Sequence, residues 1–425
     1  MRRLNWRLYI GLLFAAGCSA QTSTSPRALT WQETEERFRA NNPTLLAGKA
    51  NIDEARADEI TAYLRPNPDF TFSTDGTQIA PYEGVWRPFA GTLFVTSFSY
   101  LHERRHKREL RLESAQKATA IAVSTQADLE RNLLFNLRDA FDRVLLAKAI
   151  LGIAKENLEY YDKQIALNRE RLNVGAIAKV DFQRVELQRI QFESDLQTAQ
   201  VNVRTAKIDL QALLRDKTPT QEFDVNEEFD FTEPGNTLEE LRRIAVSTRP
   251  DLQEAKESLE KARTDHALAV ANGSTDPTFS GWWTHNGSFS NPFAADTIGA
   301  SFSIPLRIFD RNQGDKLHTL IDIGRNEKLL DAAQITALHD IDSAYATLES
   351  TLQLLRPYKS KYLEEAQQIR STVSFAYEHG AASLLDFLDA QKEYRDTQLN
   401  YLNLVGAYFS AANQVNFAVG REVIR

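Results

Sequence analysis

Two short stretches of this chain share a pattern and stand at matching places in its two halves. Residues 174–182 read VGAIAKVDF and residues 379–387 read HGAASLLDF, so in each a glycine is followed six residues later by Asp-Phe. The glycines, Gly175 and Gly380, are 205 residues apart. Each stretch separates two long runs with the apolar spacing of a helix. We therefore interpret the chain as a helical hairpin built twice, with these stretches as its two turns.

The runs beside the turns are too long for helices of an ordinary globular domain. Residues 103–174 contain no proline and one glycine, Gly152, and their apolar residues recur every three or four positions. At 1.5 Å per residue, such a helix would be roughly 105 Å long. The second half repeats this run over 313–379, where Gly314, Gly324 and Pro357 interrupt the pattern. This length is typical of a coiled coil or of a tube that crosses the periplasm.

Each half also contains two strand-like segments, near 70–73 and 92–100 and near 278–284 and 297–305. No run of 18 apolar residues follows the N-terminal region, so we expect no helix to span a membrane. Four strands cannot close a barrel, since about eight are needed, and an open sheet edge is not tolerated in lipid. If these strands lie in a membrane, two or three copies must share one barrel.

Aromatic residues of the strand segments are candidates for the lipid-facing surface or the aromatic girdle of such a barrel. The alternative is that they form the core of an ordinary sheet. The internal repeat favours the barrel. These residues are Phe70, Phe72, Phe94, Phe98, Tyr100, Trp282 and Trp283.

The N-terminus has the pattern of a secretory signal peptide. Residues 1–17 carry three arginines before a short apolar stretch, whereas a membrane-spanning helix needs about 20 apolar residues. The only cysteine, Cys18, follows directly in the run AAGCS, which resembles a bacterial lipidation site with an acylated cysteine. Ser19 then favours the outer membrane by the same resemblance. The alternative is ordinary cleavage after Ala20. Residues 18–28 are predicted to be a polar tether.

Composition and motifs exclude several classes of function. The net charge of −8 becomes −11 without residues 1–17, which argues against a general nucleic-acid binder. A single cysteine excludes an internal disulfide and a cysteine-based zinc site. The chain has no P-loop, zinc-protease or serine-hydrolase motif, so we predict no enzyme, no cofactor and no metal site.

One basic run, at 102–108, is predicted to lie at the periplasmic rim of the barrel, near lipid headgroups.

The order of these features resembles the TolC-type outer-membrane efflux channels over essentially the whole mature chain. The similarity rests on the doubled helix–strand–strand–hairpin unit, both Gly-x5-Asp turns, the boundaries NP at 42–43 and PNP at 66–68, and the run FSIPLRIFD at 302–310. The family implies a mainly α fold with a small β part. In it, three protomers share a 12-stranded barrel and a helical periplasmic tunnel. The repeats here would be 29–214 and 237–425, joined by a connector at 215–236.

The resemblance also implies a function and partners. Such a protein is a passive exit duct in the outer membrane of a Gram-negative bacterium. It accepts substrates from an inner-membrane pump, here expected to be of the RND type, through a periplasmic adaptor protein. The basic run at 102–108 is similar to one in the heavy-metal branch of the family. The alternative is a periplasmic coiled-coil scaffold or adaptor without a pore.

The candidate functional residues lie at the two turns. In the family, two aspartates at the positions of Asp386 and Asp389 ring the periplasmic aperture, where six carboxylates in a trimer would favour cations. For Asp386 the alternative is a capping box with Ser383. Arg184 stands in the first repeat where the second has Asp389, so we predict a salt bridge that holds the aperture closed. The predicted contacts for the adaptor or pump are Gly175, Asp181 and Gly380.

Overall fold

The computed structural model describes residues 28–286 and 295–424, so the predicted signal peptide, Cys18 and the tether up to residue 27 lie outside the described residues. The expected fold class, mainly α with a small β part, is confirmed. The helices are α1 Trp31–Asn41, α2 Pro43–Tyr63, α3 Lys107–Asn173, α4 Lys179–Leu214, α5 Leu238–Thr248, α6 Pro250–Asn272, α7 Gln313–Pro357, α8 Leu363–Glu378 and α9 Leu384–Val419. The strands are β1 Asp69–Asp75, β2 Leu93–Leu101, β3 Thr278–Asn286 and β4 Asp296–Ser303.

Both halves begin with the same pair of helices. A threonine caps the first helix of each pair through a capping box, Thr30 with Glu33 in α1 and Thr237 with Glu240 in α5. A proline then begins the second helix, where its missing N–H costs no hydrogen bond. Within the described residues, no helix is both long enough and apolar enough to cross a membrane.

The helix α3 is 67 residues long, or about 100 Å. It begins at Lys107, four residues later than the apolar pattern predicts, because part of the basic run forms a turn. The Arg104 N–H donates to Asp276 Oδ1 over 2.9 Å, and Lys107 Nζ donates to Asp276 Oδ2 over 2.6 Å. Lys107 is buried. This part of the basic run therefore fastens β2 to the turn before β3.

The equivalent run in the second half is not one continuous α-helix. Gly314 and Gly324 lie inside α7 without interrupting it, but Pro357 ends it and residues Tyr358–Tyr362 form a π-helical turn. Proline has no N–H to donate and crowds the preceding turn of a helix. Gly152 stands 205 residues before Pro357, and there α3 continues unbroken. The two hairpins thus differ near their middle.

The connector between the halves contacts the helix on both sides of Pro357. Arg356 makes two hydrogen bonds of 2.8 Å to the Glu233 carboxylate, and Lys359 Nζ lies 2.5 Å from Asp230 Oδ2. Nearby, the hydroxyl of buried Tyr408 donates to the Thr232 carbonyl over 2.7 Å. The connector is therefore tied to α9 as well as to the π-helical turn.

The four strands form one antiparallel sheet in the order β1-β2-β3-β4, in which β2 and β3 join the two halves. The helices below follow the same order, because α2 packs on α3, α3 on α6 and α6 on α7. The edges of β1 and β4 have no partner strand among the described residues. The sheet and the helices thus run in the same lateral order, with α2 and β1 on one side and α7 and β4 on the other.

The register gives the sheet one apolar face and one face rich in hydroxyl groups, since alternate side chains point to opposite faces. The apolar face carries Phe70, Phe72, Phe94, Phe98, Tyr100, Phe279, Trp283, Ile298 and Phe302. The opposite face carries mainly serines and threonines. Trp282 lies on this hydroxyl face and packs against Gly299, so it does not share one surface with Trp283 as the sequence analysis expected.

Candidate periplasmic aperture at the hairpin tips

The two hairpin tips have the same backbone geometry. Gly175 and Gly380 both have φ of +75°, a left-handed conformation that costs other residues roughly 1–2 kcal/mol. At the first tip, the N–H of Ala176 donates to Arg171 O over 2.8 Å, and that of Gly175 donates to Leu172 O over 3.0 Å. Equivalent bonds of 2.8 and 3.1 Å close the turn at Gly380. Both tips are Schellman motifs, which explains the repeated glycine.

The carboxylate of Asp386 caps the return helix α9. Asp386 Oδ2 accepts hydrogen bonds from the Ser383 hydroxyl over 2.7 Å and from the Ser383 N–H over 3.0 Å. The Asp386 N–H in turn donates to Ser383 Oγ over 3.2 Å. These bonds from Ser383 lower the pKa of Asp386. The capping-box alternative is therefore confirmed. Because the side chain is also exposed, its charge remains available at the tip.

The first tip has no such cap. Ala178 occupies the position of Ser383, and no side chain caps the start of α4. Asp181 instead lies beside Arg184, with 3.9 Å between Asp181 Oδ1 and Arg184 Nη1. Asp389 is exposed and forms no ion pair with the described part of its own chain. The predicted salt bridge between Arg184 and Asp389 is absent within one chain, and between copies it stays a prediction.

Substitutions at the two cap positions are expected to act in opposite directions. Ser383→Ala removes a cap worth about 1 kcal/mol, so amide exchange in the first turn of α9 is expected to rise about fivefold. Ala178→Ser restores the missing cap in α4 and is expected to slow exchange there by a similar factor. Hydrogen–deuterium exchange of the tip peptides measures both. Equal exchange in Ser383→Ala and the parent protein would contradict a stabilising cap.

A buried contact joins the two hairpins close to the tips. The Tyr377 hydroxyl in α8 donates to Asn168 Oδ1 in α3 over 2.8 Å, and both residues are buried. The Tyr377 ring stacks on Phe387 at a centroid distance of 4.8 Å, and the Arg171 guanidinium lies 4.8 Å from the centre of the Tyr377 ring. Burial raises the pKa of Tyr377. The hydroxyl thus remains a hydrogen-bond donor at physiological pH.

A second contact layer lies higher along the same interface. The Arg370 guanidinium is 4.4 Å from the centre of the Tyr160 ring and 3.7 Å from that of Tyr394. The Tyr160 hydroxyl and Ser374 Oγ are 3.0 Å apart, and Gln391 donates to the same Oγ. The helical pattern of the sequence does not single out these side chains. The polar residues within the buried stripes, such as Asn168, were the available signal.

Comparison with known proteins identifies the chain. The family model for the outer membrane efflux protein matches residues 36–214 and 241–421, one stretch in each half. The chain belongs to this family. Its function as an efflux channel of the Gram-negative outer membrane follows from this membership, and the alternative of a scaffold without a pore is not supported.

Individual relatives are distant but cover most of the chain. The cobalt-zinc-cadmium resistance protein CzcC of Cupriavidus metallidurans is 22% identical over 99% of this chain and 100% of the relative. Outer membrane protein TolC of Escherichia coli is 23% identical over 89% of this chain and 81% of the relative. A crystal structure of CusC has a TM-score of 0.74 at 19% identity and covers 92% of both chains. The last likeness concerns the fold alone.

Proposed function

We propose that three copies of this chain assemble into one exit duct, anchored through acylated Cys18. In this assembly β4 of each copy pairs with β1 of the next, so that the three sheets close into a barrel of 12 strands. Closure is required because unpaired backbone groups at a sheet edge are not tolerated in hydrocarbon. The helical layer closes in the same order and forms a tunnel below the barrel.

The observation that carries this proposal is the two-faced sheet with two open edges. In a closed barrel the aromatic face would meet lipid, and the serine and threonine face would line a water-filled passage. The assignment also gives Trp282 a distinct position, because its indole would project into the passage while Trp283 contacts lipid. A sheet packed inside an ordinary domain would bury at least one face, yet every residue of β1 is exposed.

The hairpin tips are the proposed contact surface for a periplasmic adaptor and an inner-membrane pump of the RND type. Val180 and Leu385 occupy the same position of the two repeats, and both are exposed. Each tip therefore presents an aliphatic side chain directly after the turns that contain Gly175 and Gly380. Asp181 adds a charge to the first tip. A trimer would offer six such tips of similar shape.

We propose that the cargo is cationic. Asp386 and Asp389 would bring six carboxylates to the narrow end of a trimer, which favours cations over anions. Two relatives whose names include metal resistance or cation efflux, CzcC and CusC, agree with such a cargo. The described residues hold no group of three side chains that could bind a metal ion. Cations would thus pass through this chain and not be stored in it.

Single-channel recording in planar bilayers tests the duct and its aperture together. The parent protein is expected to give small, cation-selective currents. Asp386→Ala/Asp389→Ala is expected to give larger currents with a reversal potential closer to zero in a salt gradient, because the ring of charge is lost and the opening is wider. Glu364→Ala/Asp331→Ala removes the same charge away from the tips and is the matched control.

The outcomes of this recording separate the claims. Unchanged conductance and selectivity in Asp386→Ala/Asp389→Ala would agree with the duct but would show that these aspartates do not form its constriction. A correctly folded protein that gives no current in any variant would contradict the proposed duct.

A further inference from the structure

The chain that leaves β4 carries an exposed apolar loop. We call residues 304–309 the rim loop, because they connect the sheet to α7. Phe309 is 90% exposed and Leu306 80% exposed, and Ile308 is exposed as well. Large apolar side chains clustered in this way usually mark a surface that another molecule covers. No other part of the described chain covers them.

A second exposed apolar cluster lies on the side of β1, the other edge strand of the sheet. It consists of Ile60, Tyr63 and Leu64, at the end of α2 where the chain enters β1. Both clusters lie at the same end of the sheet, because β1 begins and β4 ends there. Within one chain they are separated by the width of the sheet, three strand spacings of about 4.8 Å each. They cannot cover one another in a single copy.

The rim loop also carries a charge without a partner in its own chain. Arg307, in the rim loop, forms no ion pair among the described residues, and its Nε is buried without a hydrogen-bond acceptor. A buried N–H without an acceptor is unfavourable, so Arg307 is expected to gain one in the assembled protein.

We propose that the rim loop of one copy docks on the end of α2 of the next copy, directly below the junction of β4 with β1. Phe309 and Leu306 cover Ile60 and Leu64. The inference rests on the proposed trimer, because pairing of β4 with β1 makes these two clusters neighbours. A lipid surface is the alternative cover for these apolar residues, and the cross-linking test below distinguishes the two.

Cross-linking of the full chain in detergent tests this contact. Leu64→Cys/Phe309→Cys is treated with a short bismaleimide, and covalent trimers are expected on a denaturing gel. Leu46→Cys/Phe309→Cys is the matched control, because Leu46 is also exposed on α2 but lies 18 residues from Leu64, about 27 Å along the helix. The single-cysteine variants report any reaction through Cys18. We expect covalent trimers only from the first pair.

The stability of the trimer gives a second, independent readout. Leu306→Ala/Phe309→Ala is expected to lower the temperature at which the trimer dissociates, because the apolar contact is lost. Native mass spectrometry of the parent protein first establishes the oligomer. A parent trimer whose Leu64→Cys/Phe309→Cys variant gives only monomers would overturn the docking and leave the duct intact. A parent protein that is not a trimer would overturn both.

Discussion

Tyr377→Ala is expected to raise the single-channel conductance several-fold in planar bilayers. Tyr377 fills a buried site between the hairpins and donates the hydrogen bond to Asn168 that joins them near the tips. Removing a buried aromatic side chain typically costs about 3–5 kcal/mol. We expect this cost to weaken the contact between the two hairpins substantially. The tips are therefore expected to separate more often, and the opening they surround to widen.

Two variants make this test specific. Tyr377→Phe removes only the hydroxyl and leaves Asn168 Oδ1 without its donor, which costs about 1–3 kcal/mol, so a smaller increase in conductance is expected. Phe375→Ala removes an exposed aromatic residue of α8 whose ring lies against that of His379, so no increase is expected. If Tyr377→Ala forms normal trimers with the parent conductance, this contact does not hold the aperture.

Arg249→Met is expected to destabilise the chain by about 3–5 kcal/mol, the usual cost of removing one partner from a buried ion pair. Arg249 is buried between α5 and α6. Its Nη1 donates to Asp340 Oδ2 and to the Ala418 carbonyl, each over 3.0 Å, and its Nη2 donates to Asp251 Oδ2 over 2.6 Å. One side chain thus joins α6, α7 and the end of α9.

The same residue predicts how stability changes with pH. Burial alone would raise the pKa of Asp251, but the hydrogen bonds from Arg249 outweigh burial and lower it. A lowered pKa in the folded state stabilises the protein above the ordinary aspartate pKa of about 3.9, and this contribution is lost as pH falls below it. Denaturant unfolding at pH 7 and pH 3 is expected to show a smaller difference in Arg249→Met. Arg243→Ala, at an exposed site, is the control.

Much of this fold follows from local patterns in the sequence. The apolar period of three and four residues, together with proline and glycine positions, predicts the long helices and the doubled hairpin. The face of the sheet on which Trp282 lies could not be predicted in this way. Neighbouring residues of a strand face opposite sides, so a shift of one residue reverses the assignment. Only the pairing of Trp282 with Gly299 decides which side it faces.

The candidate aperture was predicted in part. The turns and their aspartates could be read from the sequence, because Gly175 and Gly380 repeat at a fixed distance. The hydrogen bond between Asn168 and Tyr377 could not, because it joins residues that lie 209 positions apart. Arg184 was paired with Asp389 from repeat positions alone. In the structure Asp181, one helical turn away on the same helix, lies beside it instead.

The π-helical turn after Pro357 gives the two hairpins of each chain unequal stiffness. The Gln353 carbonyl loses its usual donor at Pro357, so bending costs less there than anywhere along α3, which has Gly152 but an unbroken helix. A force applied at the tips is therefore expected to bend the second hairpin, while the first hairpin stays straight. The Arg356–Glu233 and Lys359–Asp230 pairs flank this joint, and we expect them to resist bending there only weakly because both are exposed.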